Sequence, residues 1–430
     1  MSAIILAVVG LLLLLTRVIG VRQMMLAVML LRPSCDRAFD WVKAGLGQQS
    51  GPGAAVNALV IALAMIALVQ VPNAALSAPL LAWTSLLVTA AISLVQTTDL
   101  SAGVRDILAL ATYAAAFTLP YLVVRNRAAA AQCLMAALGS SLIPSVYALL
   151  ELASQPAPLT GSQRLQSTFT HPNIYAFYIV GVLALILYMH CSANFRISAF
   201  IRRATFCYAF YLLFLLLLTK TRSAWLAALL LITGYSIVVD RRWLLPVLVL
   251  PAALLIPGVS DRLADLETGA IDGAYEHLNS MAWREVLWND TLEWLAVNPS
   301  GLFGYGLGSY QSYFPLFFPR GDGQEGIGPH NAVLQIYFEM GIAGLSSFAL
   351  LMAAITFRLI STIGRDFAGS FTMLMLCISY LIVFYSDNLL DYLQFQWFFW
   401  FTMGTVCASK CFAGPALQSR LSYSAIAPPS

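Results

Sequence analysis

Residues 173–192, NIYAFYIVGVLALILYMHCS, run for twenty positions without an Asp, Glu, Lys or Arg. A helix of that length rises about 30 Å at about 1.5 Å per residue, the thickness of a bilayer's hydrocarbon core. Runs of the same kind recur at 3–19, 54–72, 76–96, 107–124, 128–152, 204–219, 223–239, 243–258, 331–356, 370–386 and 391–409, which gives about twelve spans. Composition agrees. Hydrophobic residues make up 60% of the 430-residue chain and charged residues 10%, against about 45–50% and about 25% in soluble proteins. So few charges cannot cover a water-exposed surface of this size. The pattern predicts an all-α polytopic membrane protein and excludes an aqueous enzyme, a nucleic-acid binder and a disordered chain. The first apolar run has Arg17 and Arg22 after it and no basic residue before it, which reads as a membrane segment that is kept.

Basic residues in short loops mark the cytoplasmic side. Arg125 and Arg127, Arg196, Arg202 and Arg203, Arg241 and Arg242, and Arg358 and Arg365 occupy every second loop, with Lys410 and Arg420 continuing the series. Loops 153–172, 220–222, 259–330 and 387–390 then face outward. The alternation stumbles at 32–53, which falls outside yet carries Arg32, Arg37 and Lys43. Either 21–31 is an extra short span or an early segment is re-entrant. The chain divides into helices at 1–258, an outer loop at 259–330, further helices at 331–410 and a cytoplasmic tail at 411–430.

The outer loop holds 10 of the chain's 20 Asp and Glu residues. Within it, Leu278, Met281, Leu287 or Trp288, Leu292 and Leu295 recur at helical spacing, predicting an amphipathic helix ended by Pro299 and Gly301. A segment rich in Gly, Pro and aromatic residues follows. Gly304, Gly306 and Gly308 lack the strand and helix context of a dinucleotide fingerprint and read instead as a tight turn or a close approach to a lipid-linked ligand.

Six positions stand out chemically. Lys220 and Arg222, in LLTKTRSAWLAALL, sit at the outer end of two spans, where the orientation rule expects few cations; they either snorkel or hold an anion. Arg284 in the loop helix is either paired with Glu285 on a wet face or turned toward an anion, and a pair of guanidinium groups suits a pyrophosphate. His330, in GPHNAVLQIYFEMG, starts the next span and is placed either to cap it or to take a proton near neutral pH. His171, in STFTHPN, is the second such histidine. Glu339 is the lone acid of its span, either functional or bonded to a neighbouring helix. The seven cysteines are scattered, with no metal-ligand spacing.

The segments STFTHPNIYAFYIVG, TKTRSAWLAALL, NSMAWREVLWNDTLEWLAVNPSGLFGYGLGSYQ and PHNAVLQIYFEMGIAGL together resemble, in order, the O-antigen ligase and O-antigen/exopolysaccharide polymerase superfamily of bacterial inner membranes. The resemblance runs from about 166 to 345. It implies a multi-pass glycosyltransferase of the GT-C type that works at the periplasmic face with neither metal nor cofactor. The donor is a glycan on undecaprenyl pyrophosphate, and the acceptor is another glycan or lipid A-core, with a chain-length regulator as a further expected partner. Arg222 and Arg284 then bind pyrophosphate and His330 is the base, while Lys220, Tyr305, Gly306, Asn331 and His171 complete the substrate-binding set. Polymerisation of repeat units is the leading expectation, because nothing in 259–330 advertises a site for a large core oligosaccharide. Ligation to lipid A-core and a transporter or flippase are the alternatives, the last disfavoured because no internal repeat is visible.

Overall fold

The computed structural model describes residues 2–45, 52–155, 163–195, 197–249, 259–260, 280–318 and 327–409. Among them there is no strand. The helices are α1 (Ser2–Ile19), α2 (Val21–Leu31), α3 (Asp36–Gly45), α4 (Pro52–Gln70), α5 (Ala78–Ser93), α6 (Leu100–Val123), α7 (Arg127–Gly139), α8 (Leu142–Ser154), α9 (Pro172–Cys191), α10 (Ala199–Leu218), α11 (Arg222–Val238), α12 (Leu244–Val249), α13 (Ser280–Val297), α14 (Tyr310–Phe317), α15 (Ala332–Ile360), α16 (Phe367–Ser386) and α17 (Leu393–Ala408). Among the described residues, eight stretches are long and apolar enough to cross a bilayer by themselves, α7 and α8 counting as one. The span expected at 243–258 is described only to Val249. Its remainder, like Leu278 and the tail 411–430, lies outside the described residues.

Helices α9 and α17 are buried on every side, which is what a helix apolar around its whole circumference requires. Helix α17 packs on α6, α9 on α16 and α17, and α11 on α16. Polar residues cap the starts. The side chain of Asn126 accepts from Ala129 N at 2.8 Å, and that of Asp366 from Gly369 N at 3.0 Å. Each satisfies an N–H that an apolar environment leaves without a partner.

Hydrogen bonds fix which helix ends meet. Asn173, at the start of α9, bonds both Thr221 before α11 and Asp387 after α16. At the opposite end of the bundle, Asp366 before α16 accepts from Ser192 and Ala193 after α9. The arginine-bearing loops around 192–203, 239–243 and 358–366 therefore share one end, and the Asn173 cluster occupies the other.

The cations that broke the charge alternation sit at the Asn173 end for local reasons. Arg32 is buried against Asp36 at 3.4 Å, over the rings of Phe39 and Trp397. Arg37 donates to Ser167 O at 2.9 Å. A cation held by an anion, rings and a carbonyl is no longer a free topological signal. Helix α2, with 11 residues, is too short to cross alone.

Helix α15 breaks at Gly341, where φ is 63°. The carbonyls the break releases are taken by the glycine-rich segment: Tyr305 N donates to Phe338 O at 2.9 Å and Gly306 N to Glu339 O at 3.0 Å. Ala343 N in turn donates to Leu302 O at 3.1 Å. A backbone break inside a membrane helix needs such partners, because lipid offers none. Gly304, Gly306 and Gly308 all have positive φ, and a Cβ on Gly306 would overlap the backbone of Gln96 and Thr97. The close approach read from these glycines is thus to other backbone. Gly306→Ala is expected to cost about 1–3 kcal/mol, measured as a lowered unfolding midpoint in detergent; an unchanged midpoint contradicts this packing.

Candidate functional site

Three motifs converge where α9, α11, α13 and α16 meet. A cavity of about 840 Å³ is lined by His171, Lys220, Arg222, Arg284, His330 and Asp387, among others. Arg222 is the first residue of α11, so its backbone N–H also belongs to the positive end of that helix. Helix α13 brings Arg284, whose Nη1 donates to Ser386 O at 2.7 Å while its Nε is buried with no hydrogen-bond acceptor among the described residues. His330 lies just before α15.

Helix α13 docks by rings more than by the periodicity read in sequence. Leu287, Trp288, Thr291 and Leu295 are buried, whereas Met281 and Leu292 are exposed. Thr291 is accommodated because its hydroxyl bonds Leu287 O at 2.7 Å and the Tyr310 hydroxyl at 3.0 Å. Trp288 Nε1 donates to Pro329 O at 2.7 Å, and the Trp283 ring stands edge-on to His330 with centroids 5.8 Å apart. The loop helix is fastened to the histidine it covers.

His330 is held tightly. Its backbone N donates to Asn388 Oδ1 at 2.6 Å, and its Nδ1 lies 3.5 Å from Asp387 Oδ1. Asp387 is 1% exposed. Its carboxylate accepts from Tyr392 Oη at 2.8 Å, Asn388 N at 2.9 Å and Asn173 Nδ2 at 2.7 Å. Burial alone pushes this carboxyl up, but the His330 hydrogen bond and the charge of Arg284 outweigh it and hold Asp387 below the usual carboxylate range. Asn173 spends its other end on Thr221 Oγ1, at 3.2 Å, and on Arg164. Arg164 also donates to Thr219 O and Thr221 Oγ1, each at 2.8 Å. The side chains from Arg164 through Asn173 and Asp387 to His330 thus form one continuous network. Lys220 (φ 52°) and His330 (φ 48°) both adopt left-handed backbone conformations, strain that tends to be kept where function needs it.

Sequence reasoning did not single out Asp387, Asn173, Asn388, Tyr392 or Arg164. The usable signal was an acid in a four-residue gap between two spans. Of the residues it did single out, His171, Lys220, Arg222, Arg284 and His330 share the cavity. His171 also caps α9, its Nδ1 accepting from Asn173 N at 3.2 Å. Asn331 caps α15 by accepting from Leu334 N at 3.0 Å. Tyr305 and Gly306 lie elsewhere: the Tyr305 ring packs 5.0 Å from Phe338 and 5.2 Å from Trp294, and both residues stitch the loop to the α15 break. Glu339 is buried there, accepting from Tyr310 N at 3.3 Å.

Residues 207–349 match the family model described as O-antigen ligase. Over that stretch, about a third of its length, the chain is similar to the O-antigen ligase family. It is also 30% identical over 159 residues to an O-antigen ligase of Salmonella typhimurium. That alignment covers 33% of this chain and 37% of the Salmonella protein, so the similarity spans little more than a third of that relative. The family model takes in Arg222, Arg284 and His330, whereas the Asp387 and Asn173 that hold the histidine lie outside its limits.

Because the folded-state pKa of Asp387 is depressed, its contribution to stability is present above the ordinary carboxylate range and is lost as pH falls through the folded value. Unfolding followed from neutral pH down to about pH 3 is expected to show a shallower acid-side loss in Asp387→Asn than in the native chain. Parallel curves would mean that Asp387 gains nothing from its partners.

Proposed function

We propose that this protein transfers a glycan from a polyprenyl pyrophosphate donor to an acceptor sugar hydroxyl at the outer face of the bacterial inner membrane. The observation that carries the reading is that Arg222, Arg284 and His330 line one cavity, at the bundle end away from the arginine-rich loops. The positive-inside rule makes that end periplasmic.

The residues suit the chemistry without a metal. Asp387 lies against Nδ1 of His330, which favours the tautomer with Nδ1 protonated and leaves Nε2 to accept a proton. Nε2 takes the proton of the acceptor hydroxyl as its oxygen bonds to the anomeric carbon, and Asp387 stabilises the imidazolium that forms. The bond from that carbon to the pyrophosphate oxygen breaks, and the leaving group keeps the electron pair. Charge grows on the phosphate oxygens, where Arg222 and Arg284 supply fixed guanidinium donors that favour the transition state over the ground state. Attack opposite the leaving group inverts the anomeric centre. Lys220 adds positive charge to the same wall.

The acceptor separates two readings. The sequence favoured polymerisation of repeat units, whereas both matches carry the description O-antigen ligase, which favours attachment to lipid A-core. Glycans from a deletion strain discriminate: long undecaprenyl-linked chains accumulate if the ligase reading is right, and single repeats if the polymerase reading is.

Arg222→Ala, Arg284→Ala and His330→Ala are each expected to lower glycan product by at least about 10²-fold while the protein still reaches the membrane, as read by blotting and glycan gels. Normal product from any one removes that residue from the mechanism. Arg222→Lys should also fail, because a lysine cannot supply paired donors.

A further inference from the structure

The cavity lined by Arg222 and His330 has a neighbour along the same chain segments. Ser386 and Asp387 face the first cavity, while Leu390 and Asp391 of the same turn face a second one of about 790 Å³. Likewise His330 faces the first cavity and the two residues before it, Gly328 and Pro329, face the second. Resting on the transfer reading above, we propose that this second cavity is the subsite for the acceptor's sugar, with Asp106, Asp391 and Gln335 bonding its hydroxyls.

The lining argues for a hydroxyl-rich, uncharged ligand. Asp106, Glu339 and Asp391 face the space, with Arg105 as the one cation among its lining residues, and such carboxyl groups can both donate to and accept from hydroxyls when protonated. Carboxylates accept strongly from sugar O–H groups. Ala54, Ala58 and Ile61 give the same space an apolar side. The volume falls within the roughly 300–1,000 Å³ of ligand sites.

Some polar atoms there have no hydrogen-bond partner among the described residues, namely Asn57 Oδ1 and Gln335 Oε1, both buried. Trp83, 3% exposed and with an Nε1 likewise unbonded among the described residues, lines a void of about 40 Å³ that shares Asp106, Gln335, Glu339 and Asp391 with the larger cavity. Buried groups of this kind are normally bonded.

The two spaces are adjacent along the chain: Gly328 and Pro329 border the second cavity and His330, the next residue, borders the first.

The test uses the full-length protein, with undecaprenyl pyrophosphate as the donor-side probe and glycan product read in a deletion strain carrying each variant. Asp391→Asn, Gln335→Ala and Ala58→Trp are each expected to lower product about tenfold, the first two by losing a hydrogen bond and the third by filling the space a ring would occupy. Each should accumulate lipid-linked donor and bind the probe within about twofold of the native protein. The Ala58→Trp variant matters most, because filling the cavity blocks a sugar but leaves every carboxylate in place. Normal product from Ala58→Trp overturns the proposal, as does loss of probe binding in step with product across the three variants. If the native protein itself fails to bind the probe, the transfer reading falls and takes this assignment with it.

Discussion

One buried anion organises this end of the molecule. An ionised carboxylate in a protein interior is costly unless every lone pair is met. Asp387 meets that condition with an asparagine from α9, a tyrosine from the start of α17, the backbone of its own turn and the histidine that precedes α15. Four separate parts of the fold are therefore positioned by a single charge. The histidine's ring is oriented by the same contact, so the interaction that closes the fold also positions the imidazole proposed as the base.

The same economy appears at the break in α15. A bend inside a membrane helix exposes carbonyls that lipid cannot satisfy, and the chain answers with the backbone N–H groups of Tyr305 and Gly306. The break and the glycine-rich loop are thus two halves of one device. It brings the outer loop down onto the bundle, and α13 follows, carrying Arg284. Glycine is required at 306 because any side chain would meet the backbone at Thr97.

Much of this was legible from sequence because membrane spans leave a strong signature. Unbroken apolar stretches marked the long helices, and cations at the wrong side of the bilayer marked Lys220 and Arg222. Order along the chain joined the motifs into one family pattern. Tertiary partners left no such trace. Asp387 reads as an ordinary loop acid until Asn173, distant in sequence, is seen to bond it. Thr291 looks like the polar face of α13 until Tyr310 meets its hydroxyl. Tyr305 and Gly306 looked like ligand contacts because close backbone approach has the same residue signature whether the neighbour is a substrate or a helix. Arg32 and Arg37 confused the orientation for a related reason: a charge rule counts cations without knowing which are already held.

Of the three groups assigned to the chemistry, only Arg284 is carried by the loop helix α13, which rests on the histidine segment through Trp283 and Trp288. Lifting α13 would therefore strip away a phosphate-binding cation and uncover the imidazole in one movement. On the proposed transfer reading, the centre is complete only while α13 is docked, so donor cleavage is tied to that contact.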